Sequence, residues 1–134
     1  KNVPGIRLLA SDSRMTRRSY HIYLFRLDEA TLGLSRDRFL EALNAEGIPV
    51  SKGWYRPLYA NGVFQNAHRG PAHGIISPLA GKGVDYTKVQ CPVCEQVCRD
   101  AVWIPHQVLL ADEDQIRLVG EAVGKVAAYA SDLR

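Results

Sequence analysis

The sequence is short of several features, and each shortage removes a class of function. It holds only three cysteines in 134 residues, Cys91, Cys94 and Cys98, all within eight positions. An odd, clustered set argues against a secreted disulfide framework and for a reducing compartment, so a cytoplasmic protein is expected. No apolar run approaches the roughly 18 residues of a membrane span, and the first residues lack the apolar segment of a signal peptide. The formal charge is only +3. The densest basic cluster (Arg14, Arg17, Arg18) is short and reads as a solvated turn, so nucleic acid is not an expected partner. Neither G-x-G-x-x-G nor G-x-x-x-x-G-K-[ST] occurs, which leaves nucleotide sites unsupported. Internal repeats and low-complexity segments are also missing.

What remains is an ordinary globular composition, 46% hydrophobic and 23% charged. A chain of this length fits one domain that buries roughly two-thirds of the surface of its unfolded form. It opens on Lys1-Asn2-Val3-Pro4-Gly5 with no initiator methionine, as expected of a piece of a longer protein. Residues 1–18 read as an irregular lead-in. Residues 19–28, SYHIYLFRLD, read as a strand with apolar side chains on both faces, one of them covered by a surface the chain itself does not supply. Ser35 caps a helix through about Glu46, with Phe39, Leu40 and Leu43 inward and Gly47 closing it. Ile48-Pro49-Val50 reads as a short edge strand, and 61–85 as a long glycine- and proline-rich loop.

Pro92 opens a second helix through about Ala101, Val102-Trp103-Ile104 is a brief buried strand, and Asp112 caps the last helix with Gln115 as its partner. Ile116, Val119, Val123, Val126 and Ala130 form that helix's apolar face. Gly120 and Gly124 cost it about 1 kcal/mol each, which implies close backbone packing there. The fold class is therefore α+β, a small, mostly antiparallel sheet with helices on one face.

Three groups of residues carry chemistry. Cys91, Cys94, Cys98 and His106 supply the donor types of a zinc site, the basis of an alternative reading as a stand-alone zinc-binding or interaction module. Their spacing is poor for it: only one C-x2-C knuckle is present, and a helix from Pro92 separates the thiols from His106. Small buried thiols on a helix are the commoner outcome. His21, His68 and His73 show no spacing of a nucleophile–base pair; His106, at a strand end, is the best placed of the four. Trp54, Tyr55 and Tyr59, with Arg56, sit in a turn-rich segment and suit either a core or a wall for a flat ligand.

In order, the chain carries PGIRL (4–8), RRSYHIY (17–23), SRD (35–37), LNAEGIP (43–49), YRPLY (55–59) with Phe64, Cys91-Pro92 with Glu95, VWIPH (102–106) with Leu109-Leu110, and AVGKV (122–126). This ordered set resembles the C-terminal small domain of the DegT/DnrJ/EryC1/StrS aminotransferases, fold-type-I enzymes that use pyridoxal phosphate on keto-sugars and cyclitols. VWIPH and PLY look most like the branch that aminates inosose-type cyclitols. The resemblance implies a homodimeric enzyme with glutamate or glutamine as amino donor. It implies that the Schiff-base lysine lies on a large domain not matched here, so the piece alone is inactive and no residue of it is catalytic. Lys52, Lys82, Lys88 and Lys125 are not candidates for that lysine. The implied role is to cover the cleft, with Trp54, Tyr55 and Tyr59 facing substrate or cofactor. Several relatives carry histidine at the Trp54 and Tyr59 positions, so a stacking wall is expected in place of polar contacts. Many have small residues where Cys94 and Cys98 stand, so no metal is required.

Overall fold

β2 (Ile22–Leu27) is the expected strand, trimmed by three residues at its start and one at its end, and in the computed structural model it is the central strand of a three-stranded antiparallel sheet. The structure describes residues 2–65 and 85–134. These form two compact units, Lys1–Gly53 with Asp100–Arg134, and Trp54–Arg99. The sheet belongs to the first.

One neighbour of β2 is β3 (Ala101–Pro105), with Phe25 opposite Val102 and Leu24 opposite Trp103. The other is β1 (Ile6–Leu8), with Ile6 opposite Leu27 and Leu8 opposite Phe25. β1 corrects the expectation of an irregular stretch over 1–18. Three residues after a Pro-Gly turn carry almost no periodicity, and they form a strand only because β2 offers a free edge. Because side chains alternate, Phe25, Leu27, Val102 and Ile104 all point to one face, where they are buried.

Helices cover that face. α1 (Glu29–Leu32) was not anticipated. Asp28 caps it by accepting from the Thr31 N–H, and Gly33 ends it in the left-handed region. α2 (Arg36–Ala45) follows the expected pattern: the Ser35 hydroxyl accepts from the Arg38 N–H, and Phe39, Leu40 and Leu43 are buried. Phe39 meets Phe25 edge-on, 6.4 Å between ring centroids. After α3 (Gly62–Gln65) and α4 (Pro92–Asp100) in chain order comes α5 (Glu113–Ala128), capped by Asp112 on the Gln115 N–H. Val126 and Ala130 join the core and Val119 and Val123 border it, whereas Ile116 is 38% exposed. Lys125 reaches Glu46 beyond α2 at 2.8 Å. Helices on one face of an antiparallel sheet is the α+β arrangement read from the sequence.

The far face of β2 carries Ile22, Leu24 and Arg26, all half-buried. Arg26 forms a two-pronged pair with Asp100, the last residue of α4, at 2.9 and 2.5 Å. Two further expectations need correction. Ile48-Pro49-Val50 is not a strand; only Ser51 pairs with Trp103. Pro49 has no N–H to offer, and the Asn44 side chain meets the Val50 N–H and carbonyl at 3.4 Å. Nor do Gly120 and Gly124 permit close packing, since a Cβ at either would meet nothing within 4 Å. Gly53 is the glycine with a steric reason: at φ +65°, its Cβ would lie 2.3 Å from the Trp103 indole. Among the described residues no helix is long and apolar enough to cross a membrane.

Candidate functional site

The sequence-derived candidates Trp54, Tyr55 and Tyr59 all fall in the second unit, Trp54–Arg99. Pro57 fixes the backbone ahead of a single 3-10 turn (Leu58–Ala60), and α3 begins two residues later. With proline and glycine breaking every run, the aromatics cannot withdraw into a helix stripe. Trp54 is 65% and Tyr55 70% exposed, so neither belongs to a core. The Arg56 guanidinium lies over the Tyr55 ring, 5.0 Å from its centroid, a cation–π contact that steadies one aromatic face.

Tyr59 is differently committed. Its hydroxyl donates to Glu95 Oε1 at 2.5 Å, and the same oxygen accepts the Cys91 N–H at 2.9 Å. Glu95 lies in the first turn of α4, where the unpaired N–H groups and the helix dipole favour a carboxylate. The hydrogen bond to Glu95 pushes the Tyr59 phenol up to about 12. The Tyr59 hydroxyl, followed by the Cys91 N–H, holds the Glu95 carboxyl below its ordinary value. The ring of Tyr59 is thereby pinned by its far end. Gln65 of α3 adds a second tie, its amide donating to the carbonyls of Tyr59 (2.7 Å) and Tyr86 (3.1 Å). Phe64 and Tyr86 pack ring to ring at 5.3 Å. Glu95 and Gln65 are the positioning residues that sequence reasoning missed. Glu95 had a visible signal, four residues after the helix-opening Cys91.

The zinc alternative is not assembled. Among the described residues, no three His, Cys, Asp or Glu side chains come together to hold a metal ion. Along α4, Cys98 is buried while Cys91 and Cys94 are exposed. The expectation of buried thiols therefore holds for Cys98 alone. His106 opens a 3-10 turn after β3 and stacks on His21, 5.7 Å between centroids and 28° between planes. His68 and His73 lie outside the described residues, as do residues 66–84 of the loop expected over 61–85. At its start the expectation is corrected, since Gly62–Gln65 turn into α3.

With this geometry in place, likeness to known proteins becomes informative. The sequence profile of the DegT/DnrJ/EryC1/StrS aminotransferase family matches residues 1–123. The chain belongs to that family. One relative, named L-glutamine:2-deoxy-scyllo-inosose aminotransferase, from Streptoalloteichus tenebrarius, is 34% identical over 132 residues, 97% of this chain and 30% of its own length. A relative of the same name from Streptomyces kanamyceticus is 34% identical over 131 residues, covering 96% of this chain and 30% of its own. The chain thus spans about 30% of the length of the curated relatives it matches. Among solved structures, 3-amino-5-hydroxybenzoic acid synthase superimposes with a TM-score of 0.64 over 94% of this chain and 30% of the other, at 23% identity, a likeness of fold.

Proposed function

We propose that this family member is the substrate-covering C-terminal domain of a pyridoxal-phosphate aminotransferase. The intact enzyme moves an amino group from glutamine or glutamate to the ketone of a keto-sugar or inosose-type cyclitol. The observation that carries the reading is the family match over 1–123, joined to relatives whose names specify glutamine and scyllo-inosose. The acceptor class rests on those names and on the VWIPH and YRPLY variants.

The lysines of the described residues do not fit the role of attaching the cofactor. Lys52 pairs with Asp37 at 2.7 Å, Lys88 with Asp85 at 3.1 Å and Lys125 with Glu46 at 2.8 Å, and all three are solvent-facing. An amine that must act as a nucleophile is better served by a desolvated, unpaired setting. Lys1 and Lys82 lie outside the described residues. We therefore assign attachment to the large domain, and the electron-sink chemistry belongs to the cofactor there. This chain contributes surface. Trp54 and Tyr55 present aromatic faces to the C–H face of a hydroxylated ring and exclude water from it, while Tyr59, held by Glu95, keeps the segment in place. The intact protein is expected to be a homodimer in which this domain packs on its own large domain.

The test is steady-state kinetics of the full-length protein carrying Trp54→Ala or Tyr55→Ala. The expected result is a rise of about tenfold in KM for the cyclitol ketone, the loss of one stacking contact, with the amino-donor half-reaction unchanged. Equal loss in both half-reactions, or none in either, rejects the wall. For the 134-residue chain alone, borohydride treatment with pyridoxal phosphate is expected to trap no stoichiometric adduct. A single-site adduct with turnover rejects the assignment of attachment elsewhere.

A further inference from the structure

The motif left over from the functional reading is Cys91-Pro92-Val93-Cys94, and we propose that it is a thiol–disulfide exchange site. Cys91 and Cys94 close reversibly into an intramolecular disulfide on meeting a low-molecular-weight disulfide. Both side chains are exposed, and Val93 between them is 78% exposed, so a small disulfide has open access. The pair stands apart from any metal role, since no three ligating side chains converge among the described residues.

Backbone geometry selects which thiols can join. Cβ atoms three or four residues apart in a regular helix lie about 5–6 Å from each other, beyond the roughly 3.5–4.5 Å that a disulfide tolerates. Cys94 and Cys98 both lie within α4, so that pair is held too far apart. Cys91 precedes the helix. Its carbonyl accepts the first intrahelical bond, from the Glu95 N–H at 2.9 Å, which makes it the N-cap. An N-cap residue has non-helical backbone angles, and the following Pro92 biases it further toward extended ones. The side chain of an N-cap bends over the third helical residue, here Cys94. Cys91 can therefore approach Cys94 without unwinding the helix.

The chemistry balances with a disulfide as the oxidant. One protein thiolate attacks a sulfur of the small disulfide, whose S–S bond breaks and whose other half departs as a thiolate carrying the electron pair. The second protein thiolate then attacks the protein-side sulfur of the mixed disulfide and expels the remaining half. Two protein thiols are oxidised, one small disulfide is reduced to two thiols, and the two protons pass to the departing thiolates.

Exposure of the reduced 134-residue chain, whose only cysteines are these three, to glutathione disulfide, read by intact mass, tests the proposal on a Cys98→Ala background, with Cys98→Ser as the alternative if the buried site rejects alanine. Trypsin leaves all three cysteines in one peptide (89–99), so further variants are needed to assign the bond. The expected result is a loss of about 2 Da that dithiothreitol reverses, whereas adding Cys91→Ser or Cys94→Ser halts the reaction at a glutathione adduct of about 305 Da. Two stable adducts on the Cys98→Ala protein, or no reaction, overturn the proposal. So does an internal disulfide that survives Cys91→Ser when Cys98 is present.

Discussion

Replacing Gly124 or Gly120 with alanine is expected to stabilise the chain, and the size of the effect follows from their place in α5. The helix runs Glu113–Ala128, so both glycines are deep in its interior, where each costs about 0.8–1 kcal/mol relative to alanine. An added Cβ meets no atom within 4 Å at either position, so no clash offsets the gain. The two differ in surroundings. Gly120 borders an apolar groove of about 310 Å³ between β1, β2 and α5, lined also by Ile6, Leu8, Tyr23 and Val123. A methyl group there gains partial burial, so Gly120→Ala is expected to equal or slightly exceed Gly124→Ala. At about 1 kcal/mol each, the single variants raise Tm by roughly 3–5 °C in a chain of this size. The double variant is expected to gain about 2 kcal/mol with a small coupling between the two methyl groups, which stand one helical turn apart, about 5–6 Å. Urea and thermal unfolding of the 134-residue chain, followed by far-UV circular dichroism, measure this directly. An unchanged or lowered midpoint for either single variant refutes the reasoning. It would mean that the space beside the helix is filled.

Other outcomes follow from the same geometry. Gly53→Ala places a Cβ against the Trp103 indole at positive φ, and a loss of about 2–4 kcal/mol is expected in urea unfolding followed by tryptophan emission. Asp100→Ala strands the half-buried Arg26 guanidinium and is expected to cost about 3 kcal/mol, against a smaller loss for Asp100→Asn. The Tyr59–Glu95 bond makes stability depend on pH at both ends. The raised Tyr59 phenol contributes stability that is complete below about 10 and is lost as the pH climbs through about 12, because only the unfolded form releases its proton in that window. The lowered Glu95 carboxyl contributes stability present above its ordinary value and lost as the solution is acidified through the depressed one. Glu95→Gln is expected to return tyrosinate formation at Tyr59 toward the ordinary phenol range in an absorbance titration. An unshifted curve removes the bond from the account.

What the sequence made legible were elements with local punctuation. Ser35, Pro92 and Asp112 announce their helices because caps act on backbone groups two or three residues away. The same logic reaches α1, where Asp28 and Gly33 flank four residues, but so short a helix carries no periodicity to mark it. β1 was not legible, since Ile6–Leu8 becomes a strand only by pairing with residues about twenty positions later. The Tyr59–Glu95 bond joins residues 36 apart and is invisible to any window. The aromatic cluster itself could be read, but its split into two exposed rings and one tethered ring could not. That split depends on the α4 start and on Gln65.

The sheet's margins bear on how the chain behaves when made by itself. On one side, β1 exposes only three residues, and Arg7 among them is tied to Asp28. On the other, Ser51 and Trp103 exchange both amide–carbonyl bonds, at 3.0 and 2.9 Å, and occupy part of the β3 rim. A foreign strand finds few free rungs on which to zip, and cationic or occupied positions discourage such docking.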